Sequence, residues 1–303
     1  MIYVWHHVVT LALAAMALTV LAHSRWTHRA PRGAIVLWQI TTLTATVAAI
    51  GLVLGLGLVP YQRGIGPALH LFVTDLVRSG SPRGLSLGHV AAVVAGLALA
   101  GWLLLGQLRS SWACARQRSR HRQLLRLVAE PDARWSALVL DHPVPAAYYL
   151  PGRQASVVIS SGALGALTDE QRRAVLSHEA AHARERHHLV LSPFHALRTA
   201  FPHSRMARRA AANVALLLEM RADDHAAHCH GVDSLVGALR RFEALGGAGT
   251  PAGALAVADA GIATRIARLT APAPPPPRAA RALAIAIATV ALATPLSLFA
   301  LPL

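Results

Sequence analysis

Hydrophobic positions crowd into four long stretches, residues 2–21, 34–59, 85–108 and 282–303. Each is close to the ~20 residues of helix needed to cross a bilayer core. The second and fourth carry no charged side chain, and His89 is the one ionisable group of the third. The first begins with His6 and His7 but lacks a basic leading region and a clear small-residue cleavage site. It is therefore expected to remain as a span rather than to be removed as a signal peptide.

Between the third and fourth stretches lies a polar region of ~170 residues, large enough to bury a core of its own. It opens on a basic helical pattern, 110–129, in which Leu124, Leu127 and Val128 recur at helical spacing. Short β-like runs follow at 136–140, 146–150 and 155–160, separated by Pro143, Pro145, Pro151 and Gly152, which predicts a small sheet or hairpin. Two helices are predicted over 168–188 and 207–228, and a third over 253–269. The apolar run 189–202 is broken by two prolines and too short to span; it is expected to pack over a site or lie at the membrane interface. The segment 271–277, APAPPPP, reads as an extended linker.

The expected fold is a mainly α membrane protein, with about four transmembrane helices and an α+β domain between spans three and four. The expected divisions are a three-span region (1–108), a basic juxtamembrane helix (109–130), the α+β domain (131–270), the linker (271–281) and the fourth span (282–303).

Composition agrees, since 54% hydrophobic and 14% charged residues are too apolar for an ordinary soluble chain. The formal charge of +15 comes entirely from arginine, as no lysine is present. No nucleic-acid motif accompanies it and aromatic residues are few, so the expected partner is the bilayer and not nucleic acid. Arginines 25, 29 and 32 follow the first span and 63, 78 and 83 the second, which is a tie. Arg109, Arg116, Arg118, Arg120, Arg122 and Arg126 after the third break it, with Arg278 and Arg281 before the fourth. The positive-inside tendency thus places 109–281 in the cytoplasm and both termini outside, in the cell membrane of a bacterium. Cys114 and Cys229 form no CxxC and no disulfide framework.

The chemistry concentrates in VLSHEAAHARERHH, residues 175–188. Thr168 and Gln171 have capping-box spacing, and Asp169 and Glu170 suit the positive end of the helix they open. From that start His178 and His182 fall on one stripe with Glu179 beside it, so both imidazoles can reach one ion. Catalytic zinc takes three protein ligands and keeps an open position. In LLLEMRADDHAAH, Glu219 sits among leucines, where an unpaired carboxylate is costly and a metal-bound one is not. Asp223, one turn on, could fix the tautomer of a ligand histidine, whereas Asp224 is rotated by ~100° and reads as solvent-facing. One Zn2+ is the expected cofactor and Glu179 the expected base.

His187 and His188 lie five and six positions past His182 and read as surface residues. His225, His228, Cys229 and His230 read more simply as a polar helix end than as a second metal site. Arg221, His225, Tyr148 and Tyr149 remain open as donors to an oxyanion.

The run VISSGALGALTDEQRRAVLSHEAAHARERHH followed by EMRADDHA resembles the gluzincin membrane metallopeptidases, with their HExxH and ExxAD helices. The HtpX heat-shock protease and the CAAX prenyl proteases share those motifs. Three spans, a cytoplasmic protease domain and a fourth span resemble more closely the BlaR/MecR antirepressor family. Position by position, the resemblance implies His178, His182 and Glu219 as zinc ligands and Glu179 as the catalytic base. It also implies a peptide or protein substrate, with a BlaI/MecI-type repressor as the candidate. The β-lactam sensors continue past their fourth span into a penicillin-binding domain, whereas this sequence stops at Leu303, so direct β-lactam sensing is not expected. Two other readings stand beside this one: an HtpX-like quality-control protease, and a catalytically silent membrane sensor or scaffold that uses zinc structurally.

Overall fold

The computed structural model describes residues 2–80, 84–152, 156–245 and 261–300. In chain order the helices are α1 (Ile2–His23), α2 (Trp26–Arg29), α3 (Pro31–Leu58), α4 (Ile65–Ser79) and α5 (Leu87–Val128). The strands follow as β1 (Ala129–Asp132), β2 (Ala137–Leu140), β3 (Ala147–Leu150) and β4 (Ser156–Ser160). Then come α6 (Ser161–Ala166), α7 (Asp169–Arg184), α8 (His187–Ala200), α9 (Arg205–His230), α10 (Val232–Ala244), α11 (Ile262–Thr270) and α12 (Arg278–Ala300).

Among the described residues four helices are long and apolar enough to cross a membrane, over Tyr3–His23, Pro31–Tyr61, Leu87–Val128 and Arg278–Phe299. They coincide with the four apolar stretches of the sequence. The chain divides into two compact units, one holding the apolar helices with α4, the other comprising 28–32 and 107–275.

In the first unit His7, in the first span, is fully buried. Its ring lies where a Cβ on Gly51 would stand, so only glycine at 51 leaves room for it. An intramembrane polar side chain facing its own bundle rather than lipid follows the usual rule. Gly57 similarly lets α3 approach the backbone of α5 at His89 and Val93, the small-residue contact by which membrane helices pack.

In the second unit the sheet order is β1-β2-β4-β3. β2 and β4 are parallel, with Leu138 opposite Val158, and the two outer pairs are antiparallel. β1 is a strand that composition concealed, because Glu130, Pro131 and Asp132 are poor strand formers; at a sheet edge Pro131 is tolerated. Leu125 of α5 packs with Tyr148, Leu150 and Val158 on one sheet face, and Ala137, Ile159 and Ala163 form a cluster of their own. The third span and the basic segment are one continuous 42-residue helix with no break near residue 108. It leaves Leu124, Leu127 and Val128 exposed.

One helical expectation needs correction. The helix predicted over 168–188 stops at Arg184, and Arg186 adopts a left-handed conformation (φ 50°), which reverses the chain. The run 189–202 is a helix that passes through Pro193 and ends before Pro202. The third predicted helix is represented among the described residues by α11 (Ile262–Thr270); residues 253–260 of that prediction lie outside the described ones. The capping box forms as its spacing predicts: the Thr168 hydroxyl accepts from the Gln171 N–H at 3.3 Å, and the Thr168 N–H donates to Gln171 Oε1 at 3.1 Å.

Candidate metal centre

α7 and α9 meet through small residues. Ala174 and Ala181 of α7, with Ala211, Ala215, Ala222 and Ala226 of α9, are buried to within 5%. Only such short side chains let two helix backbones come close enough for histidines on one to reach a carboxylate on the other. The Nε2 atoms of His178 and His182 lie 3.1 Å apart. Glu219 places Oε2 at 3.3 Å from His178 Nε2 and Oε1 at 3.4 Å from His182 Nε2.

These three residues form a group able to hold a metal ion. The fit is good on two counts. Ligand atoms about 2.0–2.1 Å from a tetrahedral ion stand roughly 3.3–3.4 Å from one another, close to the spacings here. Two imidazoles and a carboxylate are also the donor set of a zinc site with a fourth position open.

Around the three lies a charged shell. Asp223 is fully buried, and its Oδ1 lies 3.0 Å from His178 Nδ1. Arg265, reached from α11 and 5% exposed, donates from Nε and Nη2 to the two oxygens of Asp223, each at 2.7 Å. Its Nη1 lies 2.9 Å from Glu219 Oε2. Burial opposes the charge on Glu219, yet Arg265 and His178 together hold its carboxyl well below the ordinary range. Burial pushes His182 down to about 3, leaving a neutral ring with a free lone pair. At His178 burial acts in the same direction but is overcome by Asp223 and Glu219, which raise it.

Glu179 stands beside the group on α7. Burial raises its carboxyl to about 7, with Glu219 adding to the rise, while His178, the backbone N–H of Tyr149 and Arg265 act the other way. Tyr149 belongs to β3, the last strand of the sheet. Alternation along that strand turns the main-chain groups of Ala147 and Tyr149 away from β4 and towards α7.

Several sequence expectations change here. His187 is not a surface residue: it is 1% exposed, with Nδ1 2.8 Å from His182 Nδ1. The expectation extended α7 through residue 188, and the reversal at Arg186 invalidates that extension. His188 is half-buried. Asp224 pairs with Arg268 of α11 at 2.6 Å instead of facing solvent freely. Arg265 was missed altogether; the signal available was Asp223 one turn past Glu219 on the buried stripe of α9, where a second carboxylate needs a cationic partner.

The residues held open for other roles have partners elsewhere. Arg221 grips both oxygens of Glu185, and the Tyr148 hydroxyl pairs with His121 at 2.7 Å. His225 pairs with Arg184, with Cys229 Sγ 3.6 Å away. Among the described residues no third ligand joins His225 and Cys229 to make a second metal group.

Comparison with known proteins gives one match. Residues 114–215 match Peptidase family M48, a third of the chain that takes in His178, Glu179 and His182 and stops short of Glu219. No curated protein and no solved structure matches. The chain thus carries a segment of the M48 metallopeptidase type, a peptide-bond hydrolase, in a protein with four helices able to cross a membrane.

Proposed function

We propose that this chain is a membrane-anchored zinc-dependent endopeptidase that works at the cytoplasmic face and signals by cleaving a transcriptional repressor. The observation that carries the reading is the convergence of His178, His182 and Glu219 on one point, with Glu179 beside it under the edge of β3. His178, His182 and Glu219 would hold the zinc ion. When bound, zinc supplies Lewis-acid polarisation of the scissile carbonyl and of the attacking water.

Glu179 takes the proton from that water and passes it to the leaving amine. A carboxyl raised by burial is suited to both transfers, because it is a stronger base towards the water than an ordinary carboxylate and, once protonated, is still acidic enough to deliver the proton to an amine. The outward C=O groups of Ala147 and Tyr149 and the Ala147 N–H offer an extended peptide a strand to pair with, while the Tyr149 N–H is engaged by Glu179. Pairing of that kind needs no chain terminus, which favours internal cleavage.

Purified protein stripped with a chelator and resupplied with zinc should cleave internal bonds of a mixed peptide library. Its kcat/KM should rise with pH as Glu179 ionises, since only the ionised form accepts a proton. A cation beside the carboxyl pulls it below the value of about 7 it has alone, so the rise should be complete by neutrality. Absence of zinc-dependent cleavage, or a rate falling as pH increases from 4.5 to 7, would overturn the reading.

The cytoplasmic orientation rests on the arginine cluster from Arg109 to Arg126. A truncation reporter fused after Gly165 should be active only if it lies in the cytoplasm; activity confined to the exterior would refute the orientation. The signalling role rests on the resemblance to the BlaR/MecR antirepressors. Its mark would be a winged-helix repressor, encoded beside this chain, that disappears in cells carrying it.

A further inference from the structure

Among the described residues no carboxylate stands against the outer nitrogen of His182, unlike His178, which has Asp223. In that place stands His187, its ring nearly perpendicular (88°) to that of His182 and its Nδ1 2.8 Å away. His187 Nε2 in turn lies 3.3 Å from Glu185 Oε2. Glu185 is held by Arg221, with Nη2 at 2.6 Å from Oε1 and Nε at 3.1 Å from Oε2.

We propose that His187 is a positioning residue for the metal centre, part of a relay Arg221–Glu185–His187–His182 that fixes the tautomer and orientation of His182 as a ligand. The inference rests on the reading of His182 as a zinc ligand.

Proton accounting gives the relay one consistent arrangement. To offer its Nε2 lone pair to a metal, neutral His182 must carry its proton on Nδ1. Two Nδ1 atoms at 2.8 Å share a single proton, so His187 Nδ1 must be the acceptor. Neutral His187 then carries its proton on Nε2, where it donates to Glu185, and the Arg221 guanidinium orients that carboxylate from its other side. A second imidazole thus extends by one link the carboxylate–histidine–metal chain that usually orients ligand histidines.

The backbone is built for this contact. His187 reaches His182 only because Arg186 takes the left-handed conformation, one that a non-glycine residue adopts at a cost.

The test measures zinc affinity by chelator competition on the purified full-length protein, apart from any assay of activity. His187→Gln keeps an oxygen acceptor for His182 and a donor for Glu185, while His187→Phe fills the volume with neither. The Phe variant should bind zinc about 10–100-fold more weakly, the usual penalty for losing such an outer partner, and the Gln variant should stay close to wild type. Glu185→Ala lies on an exposed turn and should weaken zinc in the same direction, which keeps the test open if the Phe variant does not fold.

Wild-type affinity in both His187→Phe and Glu185→Ala would overturn the relay. So would equal losses in the Gln and Phe variants, which would make the role one of packing. His182→Ala separates this failure from that of the metal centre: if it binds zinc as tightly as wild type, the ligand assignment itself is wrong.

Discussion

Glu179→Gln is expected to lower kcat for peptide hydrolysis by about a hundred- to ten-thousand-fold, the range that a positioned general acid–base contributes. The upper end is expected because one carboxylate serves both proton transfers. Zinc content and KM should barely move, since Glu179 is not among the three converging ligands and its amide replacement has the same size. Stability should hold or rise slightly, because the carboxyl is a group whose charge burial already opposes. Kinetics, metal analysis and a thermal unfolding curve on the same preparation separate these effects. Undiminished cleavage with zinc in place would show that another group does the proton transfer.

The second large effect lies outside the HExxH helix. Arg265→Leu removes a buried cation that two carboxylates share, leaving Asp223 fully buried with only His178 nearby. Breaking a buried pair in this way costs about 3–5 kcal/mol. The variant should therefore unfold at clearly lower temperature or denaturant, and Arg265→Lys should recover only part of the loss, because an ammonium cannot reproduce the two-pronged contact. Adding Asp223→Leu should restore some stability by removing the stranded charge, yet zinc binding should stay weak because His178 loses its outer partner. An unchanged unfolding midpoint in Arg265→Leu would show that Asp223 is not charged in the folded protein.

What could be read from the sequence was what depends on neighbours within a turn or two. The apolar stretches that become α1, α3, the first half of α5 and α12 are visible because a bilayer demands runs of a set length. His178 and His182 share a face because a helix repeats every 3.6 residues, and the Thr168–Gln171 cap is a local contact. Glu219 was legible for a different reason, since a lone carboxylate in a leucine run calls for a compensating partner.

The tertiary structure decided what depends on reversals and on distant partners. One left-handed residue, Arg186, moves His187 from a supposed surface to the back of His182, and no periodicity extrapolated from α7 foresees a turn that ends it. Arg265 joins Asp223 across 42 positions of sequence, a pairing visible only once α11 is packed on α9. The register that leaves β3 at the sheet edge beside Glu179 is a property of strand order, and β1 exists only because β2 offers it an edge. Local sequence thus specified two histidines with a glutamate beside them on one helix and a carboxylate in need of a partner on another, because each follows from helical geometry or burial cost. Folding alone chose the residues that orient them, because those contacts are made between segments that the chain brings together only by turning back on itself.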